Sequence, residues 1–169
     1  MPPFASVRHG PAGQESTEAS GSGISSFSYI TLTNDFTISN VRPNSSRLEY
    51  DNTKTADPTN NIVLDTNTNP GRVNITDAGT YKIDVAFSTD TNNNDRVVAI
   101  AELFVNGTYE TGSICFTYNR DQPNGENTGN INAVLTLTAN SYLEVFVSKT
   151  ASRNCKAIVG TTIAIIKIA

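Results

Sequence analysis

The sequence predicts an all-β fold, a jelly-roll sandwich of about eight to ten antiparallel strands behind an extended N-terminal arm. Three observations carry that expectation. Along Asn69–Ser88, Val73 and Ile75, then Tyr81, Ile83, Val85 and Phe87, share one parity, while Arg72, Asn74, Thr80, Lys82 and Asp84 share the other. That period of two belongs to a strand with one dry face and one wet face. Thr76-Asp77-Ala78-Gly79 interrupts the pattern with turn-forming residues, as in a strand that turns a corner between two sheets. Turn signals then recur at even spacing, the strongest being Asn106-Gly107, a hairpin dipeptide.

Composition bounds the rest. A chain of 169 residues suffices for one well-buried domain and is short for two. We place the domain at 24–169 and the arm and linker at 1–23. Hydrophobic residues make up 37% and charged residues 17%, with Asn and Thr abundant, the surface chemistry of a β-protein. A net charge of −4 argues against nucleic acid, because phosphate binding needs clustered Lys and Arg. No apolar run approaches the ~18 residues of a membrane-crossing helix, so no membrane partner is expected. The opening M-P-P-F-A-S-V-R-H-G lacks a basic end followed by an apolar core and does not read as a secretory signal.

In chain order, Met1–Gly23 is Pro, Gly, Ser and Glu with few apolar residues. Alone it cannot offset its ordering entropy. It reads either as a free tail or as an arm that orders on a neighbouring protein, with Phe4, Val7 and Arg8 as its contacts. Ile24–Ile38 is expected as a strand, Arg42–Ser46 as a turn, and Arg47–Asp51 as a short strand. Asn52–Asn60 reads as a loop, Ile62–Leu64 as a short strand, and Asp90–Asp95 as a polar hairpin tip. Arg96–Asn106 has Val97, Ala99, Ala101, Leu103 and Val105 on one side. Thr108–Tyr118 should fold back from Asn106-Gly107 with Ile114, Phe116 and Tyr118 inward. Asn119–Asn130 is a long loop. Ile131–Thr138 and Tyr142–Val147 then alternate around a tight turn at Ala139-Asn140-Ser141.

The closing segment, Ala157–Ala169, is expected as one strand. Ile158, Ala164, Ile166 and Ile168 face one way, and Val159, Ile163 and Ile165 face the other. A surface strand of a lone sandwich keeps one wet face. Two dry faces imply a second cover, either another subunit or another layer. Ile158, Ile163, Ile165, Ile166 and Ile168, with Phe104, are the candidate interface residues.

G-R-V-N-I-T-D-A-G-T-Y-K-I-D-V (Gly71–Val85) resembles the signature strand pair of tumour-necrosis-factor and complement C1q-type jelly rolls. L-F-V-N-G (Leu103–Gly107) resembles that family's next hairpin. V-L-T-L-T-A-N-S-Y-L-E-V-F-V (Val134–Val147) resembles its later one, with Asn140-Ser141 where Gly-Asp is usual. Gly160–Ala169 is similar to the closing strand. The resemblance covers Ile24–Ala169 and implies a homotrimer whose closing strand lies along a threefold axis.

The chemistry-bearing residues are sparse. The single histidine, His9, lies in the arm, so no Ser–His or Cys–His pair forms in the domain and no enzyme is expected. Asp77, Asp84 and Glu102 are scattered, and no phosphate loop occurs. Asp90, Asn92, Asn93, Asn94 and Asp95 offer oxygens to calcium, but hairpin tips are Asn/Asp-rich for conformational reasons; no metal or cofactor is assigned. Asn44, Asn74 and Asn106 match the glycosylation pattern, as expected by chance in so Asn/Thr-rich a chain. Cys115 and Cys155 read as buried thiols or as a disulfide between adjacent strands.

Together with the resemblance, the short arm and the lack of collagen repeats point to a virion protein of a bacteriophage or similar particle. It would be a trimeric capsid decoration (cement) protein or fibre knob on the particle's exterior, held to capsid or tail proteins by the arm, with a host receptor or glycan as a further partner. The alternative is a secreted or cell-surface ligand or carbohydrate-binding module, meeting its partner through Asn52–Asn60, Asp90–Asp95 and Asn119–Asn130.

Overall fold

The computed structural model describes residues 26–91, 96–120 and 125–169. Among these, thirteen strands form. The first six are β1 (Phe27–Thr31), β2 (Phe36–Thr37), β3 (Ser46–Arg47), β4 (Asn52–Thr55), β5 (Ile62–Asp65) and β6 (Arg72–Ile75). Then come β7 (Gly79–Asp90), β8 (Val97–Val105), β9 (Thr108–Asn119), β10 (Asn127–Leu137), β11 (Ser141–Lys149), β12 (Lys156–Ala157) and β13 (Thr162–Lys167). One sheet runs β2-β12-β7-β13-β1-β4, with β10 also on β7; the other runs β5-β6-β11-β8-β9, with β3 on β11. Every strand pairing is antiparallel. The two sheets pack face to face as an all-β jelly roll.

The core lies between the sheets. Tyr81, Ile83, Val85 and Phe87 of β7 and Ile163 and Ile165 of β13 meet Ala101, Leu103, Val145 and Val147 of β8 and β11. Each such large side chain contributes about 1.5–3 kcal/mol on leaving water.

The expected corner is present: β6 belongs to one sheet and β7 to the other. Polar groups latch it. The Asp77 backbone N–H donates to Asn61 Oδ1 at 2.6 Å, and Thr76 N–H donates to the Asn61 carbonyl at 2.9 Å. The hairpin after β8 is also as expected, with φ of 51° at Asn106 and 77° at Gly107, the paired positive values of a tight two-residue turn.

Several expectations need correction. The expected strand Arg47–Asp51 is strand only at Arg47, in β3. The expected loop Asn119–Asn130 gives its first residue to β9 and 127–130 to β10. Ile24–Ile38 is not one strand, because β1 ends at Thr31 and β2 begins only at Phe36. Asn52–Asn60 is not wholly loop: Asn52–Thr55 adds to β1 as an edge strand. The closing segment is broken. Ala157 pairs with Thr89 and Thr162 with Ala86, so five positions of chain stand against three on β7. The two extra residues turn at Gly160, where φ is 102°.

A further correction concerns β9, whose inward face is Cys115, Thr117 and Asn119, leaving Phe116 55% and Tyr118 45% exposed. Near the hairpin Phe104 pairs with Tyr109, but further along Glu102 pairs with Ile114. Two steps on β8 thus match five on β9, and the three extra residues, around Gly112 at φ 85°, reverse the strand's faces. An odd bulge sends every later side chain to the opposite side.

Candidate functional site

The closing strand sits in the middle of its sheet, between β7 and β1. Its inner side chains, Ile163 and Ile165, are fully buried in the sandwich core, which removes them from any contact with a neighbour. Its outer side chains are apolar as well. Ile166 lies opposite Phe27 and Ala164 opposite Tyr29 on β1, and all four are half-buried. Ile168, just past the strand, is 49% exposed. On the other flank β7 contributes Lys82, Asp84 and Ala86, and β10 adds Val134 beside Lys82 and Asn132 beside Asp84. Val134 is 61% exposed. The outer face therefore carries Phe27, Tyr29, Ala164, Ile166 and Val134 around one ion pair, Lys82 Nζ to Asp84 Oδ2 at 2.9 Å.

The other candidate interface residues fall elsewhere. Ile158 is half-buried in the turn between β12 and β13, its N–H donating to the Ser88 carbonyl at 2.9 Å. Phe104 lies on the opposite sheet, its ring 4.6 Å from that of Phe146 and 5.8 Å from that of Tyr109. The arm contacts Phe4, Val7 and Arg8 lie outside the described residues. Phe27, Tyr29 and Val134 share this face through long-range pairing, which leaves no mark in local periodicity.

On the Phe104 side of the molecule, Glu144 is 4% exposed and serves as a hub. Its Oε1 accepts from Arg47 Nη1 at 2.7 Å and from Arg72 Nε at 3.1 Å, and the Arg72 guanidinium lies 3.8 Å over the Tyr142 ring. This network pins β3 and β6 onto β11.

A cleft of about 360 Å³ opens between Asn34–Phe36, Glu49–Asp51, Thr66 and Pro70. Two of its carboxylates, Asp35 and Asp51, serve the fold. Asp51 accepts from the Thr33 N–H and hydroxyl, both at 2.7 Å, and from Asn34 Nδ2 at 3.0 Å. Burial pushes its pKa up, but these donors outweigh that and hold it below 3.8. Asp35 is lowered chiefly by Lys156 Nζ, 2.7 Å away. Among the described residues no group of three His, Cys, Asp or Glu side chains is placed to hold a metal ion. Of the hairpin-tip oxygens, 92–95 lie outside the described residues, and Asp90 accepts from the Thr91 N–H at 2.7 Å. Cys115 and Cys155 are both free and buried, and burial pushes each thiol up to about 11.

No protein-family profile matches the sequence, and no curated protein matches it. Solved structures do match in shape. Murine APRIL at pH 5.0 aligns with a TM-score of 0.57 and 12% identity over 85% of this chain and 98% of that one. The globular domain of zebrafish complement 1qA aligns at 0.54 and 11%, again over 85% and 98%. The Eiger TNF from S. frugiperda aligns at 0.52 and 18%, over 85% and 91%. The fold is a C1q/TNF-like jelly roll. In this C1q/TNF-like jelly roll the apolar outer face lies on the sheet that holds the closing strand, and the Glu144 network lies on the other.

Proposed function

We propose that this chain is a self-associating structural knob, three copies closing around the outer face of β1 and β13. The N-terminal segment carries it on the exterior of a viral particle, as a capsid decoration or fibre-tip protein. One observation carries the reading: the middle of a sheet, normally its best-shielded part, turns Phe27, Tyr29, Ala164 and Ile166 outward on a single chain. At about 1.5–3 kcal/mol for each large side chain removed from water, this face supplies a substantial share of what association costs, about 4–15 kcal/mol. Val134 on β10 extends this face, and exposed Phe116 and Tyr118 on β9 add apolar surface on a second flank. The composition of Met1–Gly23 supports the anchoring role, since it suits a segment that orders only against a partner.

Sedimentation at micromolar concentration tests the assembly, a mass of three chains being expected. Deletion of Met1–Ser22 tests the anchor. The shortened chain stays trimeric and loses its place on the particle; unchanged occupancy removes the arm from the proposal.

A second reading, a secreted or cell-surface ligand or glycan-binding module of the C1q-like type, is supported by the neighbours, a TNF and a complement globular domain. A glycan array separates the two, since a purely structural knob retains no sugar.

A further inference from the structure

We infer that the pocket where β4 and the start of β13 meet β1 binds a sugar carrying one carboxylate, with Lys54 as the partner of that carboxylate. The inference deepens the glycan-binding reading above and rests on it. The pocket holds about 330 Å³, and Tyr29, Leu32, Lys54, Val159 and Thr162 are among its walls. That is the small end of ligand sites, about 300–1,000 Å³, and matches one sugar ring. Lys54 reaches it through a fault in the ladder. Tyr29 pairs with Thr55, but Ile30 pairs with Thr53. One step on β1 thus matches two on β4, and Lys54 is the extra residue. A bulge of this kind re-aims a side chain, and here it makes Lys54 part of the pocket wall.

Charge decides the ligand. Lys54 is exposed and makes no ion pair among the described residues. The carboxylates that touch the lining are already engaged. Asp35 accepts from the Val159 N–H at 3.2 Å and from Lys156 Nζ at 2.7 Å, and Asp51 accepts from the Thr33 hydroxyl and Asn34 Nδ2. One free ammonium, a compact point charge, with no guanidinium or second cation in the walls, matches a carboxylate better than a dianion. The rest of the lining fits a sugar ring. The Tyr29 and Thr162 hydroxyls can each donate and accept, and the Tyr29 ring and Val159, 57% exposed, offer apolar surface to ring C–H groups. The wall is fixed in advance: the Leu32 N–H and Thr31 Oγ1 both donate to the Thr161 carbonyl, at 3.0 Å and 3.3 Å. A pre-formed site has little ordering entropy left to lose. Of these wall residues only Tyr29 belongs to the face assigned to association.

The test is a titration of the isotope-labelled full chain with glucuronic acid, followed by amide chemical shifts, with glucose, acetate and inorganic phosphate as comparisons. Glucuronic acid is expected to shift the amides of Lys54, Gly160 and Thr162 to saturation, and each comparison to bind at least about tenfold more weakly. Lys54→Met keeps the apolar stem and removes the charge. It is expected to weaken glucuronic acid about ten- to a hundredfold, the effect of one hydrogen bond to a charged group, with the unfolding midpoint unchanged. Binding that Lys54→Met leaves as tight as wild type overturns the inference and leaves Lys54 as a guard on an edge strand. Acetate or phosphate as tight as glucuronic acid overturns the sugar, and glucose as tight overturns the charge. No shift with glucuronic acid, while the glycan array retains neutral sugars, overturns the inference and leaves the glycan-binding reading standing. No sugar retained in either experiment overturns both.

Discussion

Asn61 and Tyr81 are joined inside the corner where the chain changes sheets: Asn61 Nδ2 donates to the Tyr81 hydroxyl at 2.8 Å, and that hydroxyl donates to the Asp77 carbonyl at 2.9 Å. Both side chains are buried, so water cannot replace the bond between them. Tyr81→Phe keeps the ring and removes both bonds, leaving Asn61 Nδ2 only its 3.2 Å bond to Ser26 Oγ, a loss of about 1–3 kcal/mol. Tyr81→Ala also opens a cavity and should cost about 3–5 kcal/mol, as should Phe87→Ala on the same strand. Urea unfolding followed by far-UV circular dichroism measures all three. A Tyr81→Phe midpoint equal to wild type would show that the latch contributes nothing.

Neighbouring residues of the closing strand should respond in opposite ways to the same charge. Ile165 is fully buried in the core, whereas Ile166 faces outward beside Phe27. Ile165→Asp places an unpaired carboxylate between the sheets and should prevent folding. Ile166→Asp should leave the fold intact and yield monomer, because the charge is stranded only when copies meet. Light scattering with circular dichroism separates the outcomes, and a folded, fully trimeric Ile166→Asp would move the interface elsewhere.

The fold was legible where local pattern and turn chemistry agreed. The corner at Thr76–Ala78 and the Asn106-Gly107 turn could be read directly, because each is a short-range steric or hydrogen-bonding preference. The faces of β9 could not. Counting back from Asn106-Gly107 in an unbroken ladder sets Ala99 opposite Ile114 and turns Ile114, Phe116 and Tyr118 inward. The structure's three-residue bulge reverses this, and nothing near Gly112 fixes its size in advance. The doubly apolar closing segment was visible as such. Which face met the core was not, because Ile163 and Ile166 are chemically alike and only pairing with β1 and β7 distinguishes them.

The cysteines should be silent in the native protein. Cys115 and Cys155 are buried and free, with thiols raised to about 11, and the reactive species is the thiolate. At pH 7.5 native protein should leave a thiol-reactive dye almost unreacted over minutes, and denaturant should release two equivalents per chain. Fewer than two in denaturant would reveal a disulfide.

Acid should loosen the molecule at the loop end that carries Asp35 and Asp51. Both carboxyls sit below the ordinary 3.8 in the folded chain. For Asp35 the chief cause is Lys156; for Asp51 burial works the other way and is outweighed by Thr33 and Asn34. A carboxyl whose folded pKa is depressed favours the folded state once pH exceeds its unfolded value. As pH falls through that value the unfolded chain takes up the proton first, so stability declines from about pH 4 downward. Lys156 behaves oppositely: Asp35 raises it above 10.5, so its share persists through neutrality and is lost only in strong alkali. Unfolding midpoints in urea between pH 6 and pH 3 should therefore fall. Asp51→Asn should lower the midpoint at pH 6 and flatten the decline, because an amide has no proton to gain. A decline equally steep in Asp51→Asn would assign the acid sensitivity to other carboxylates.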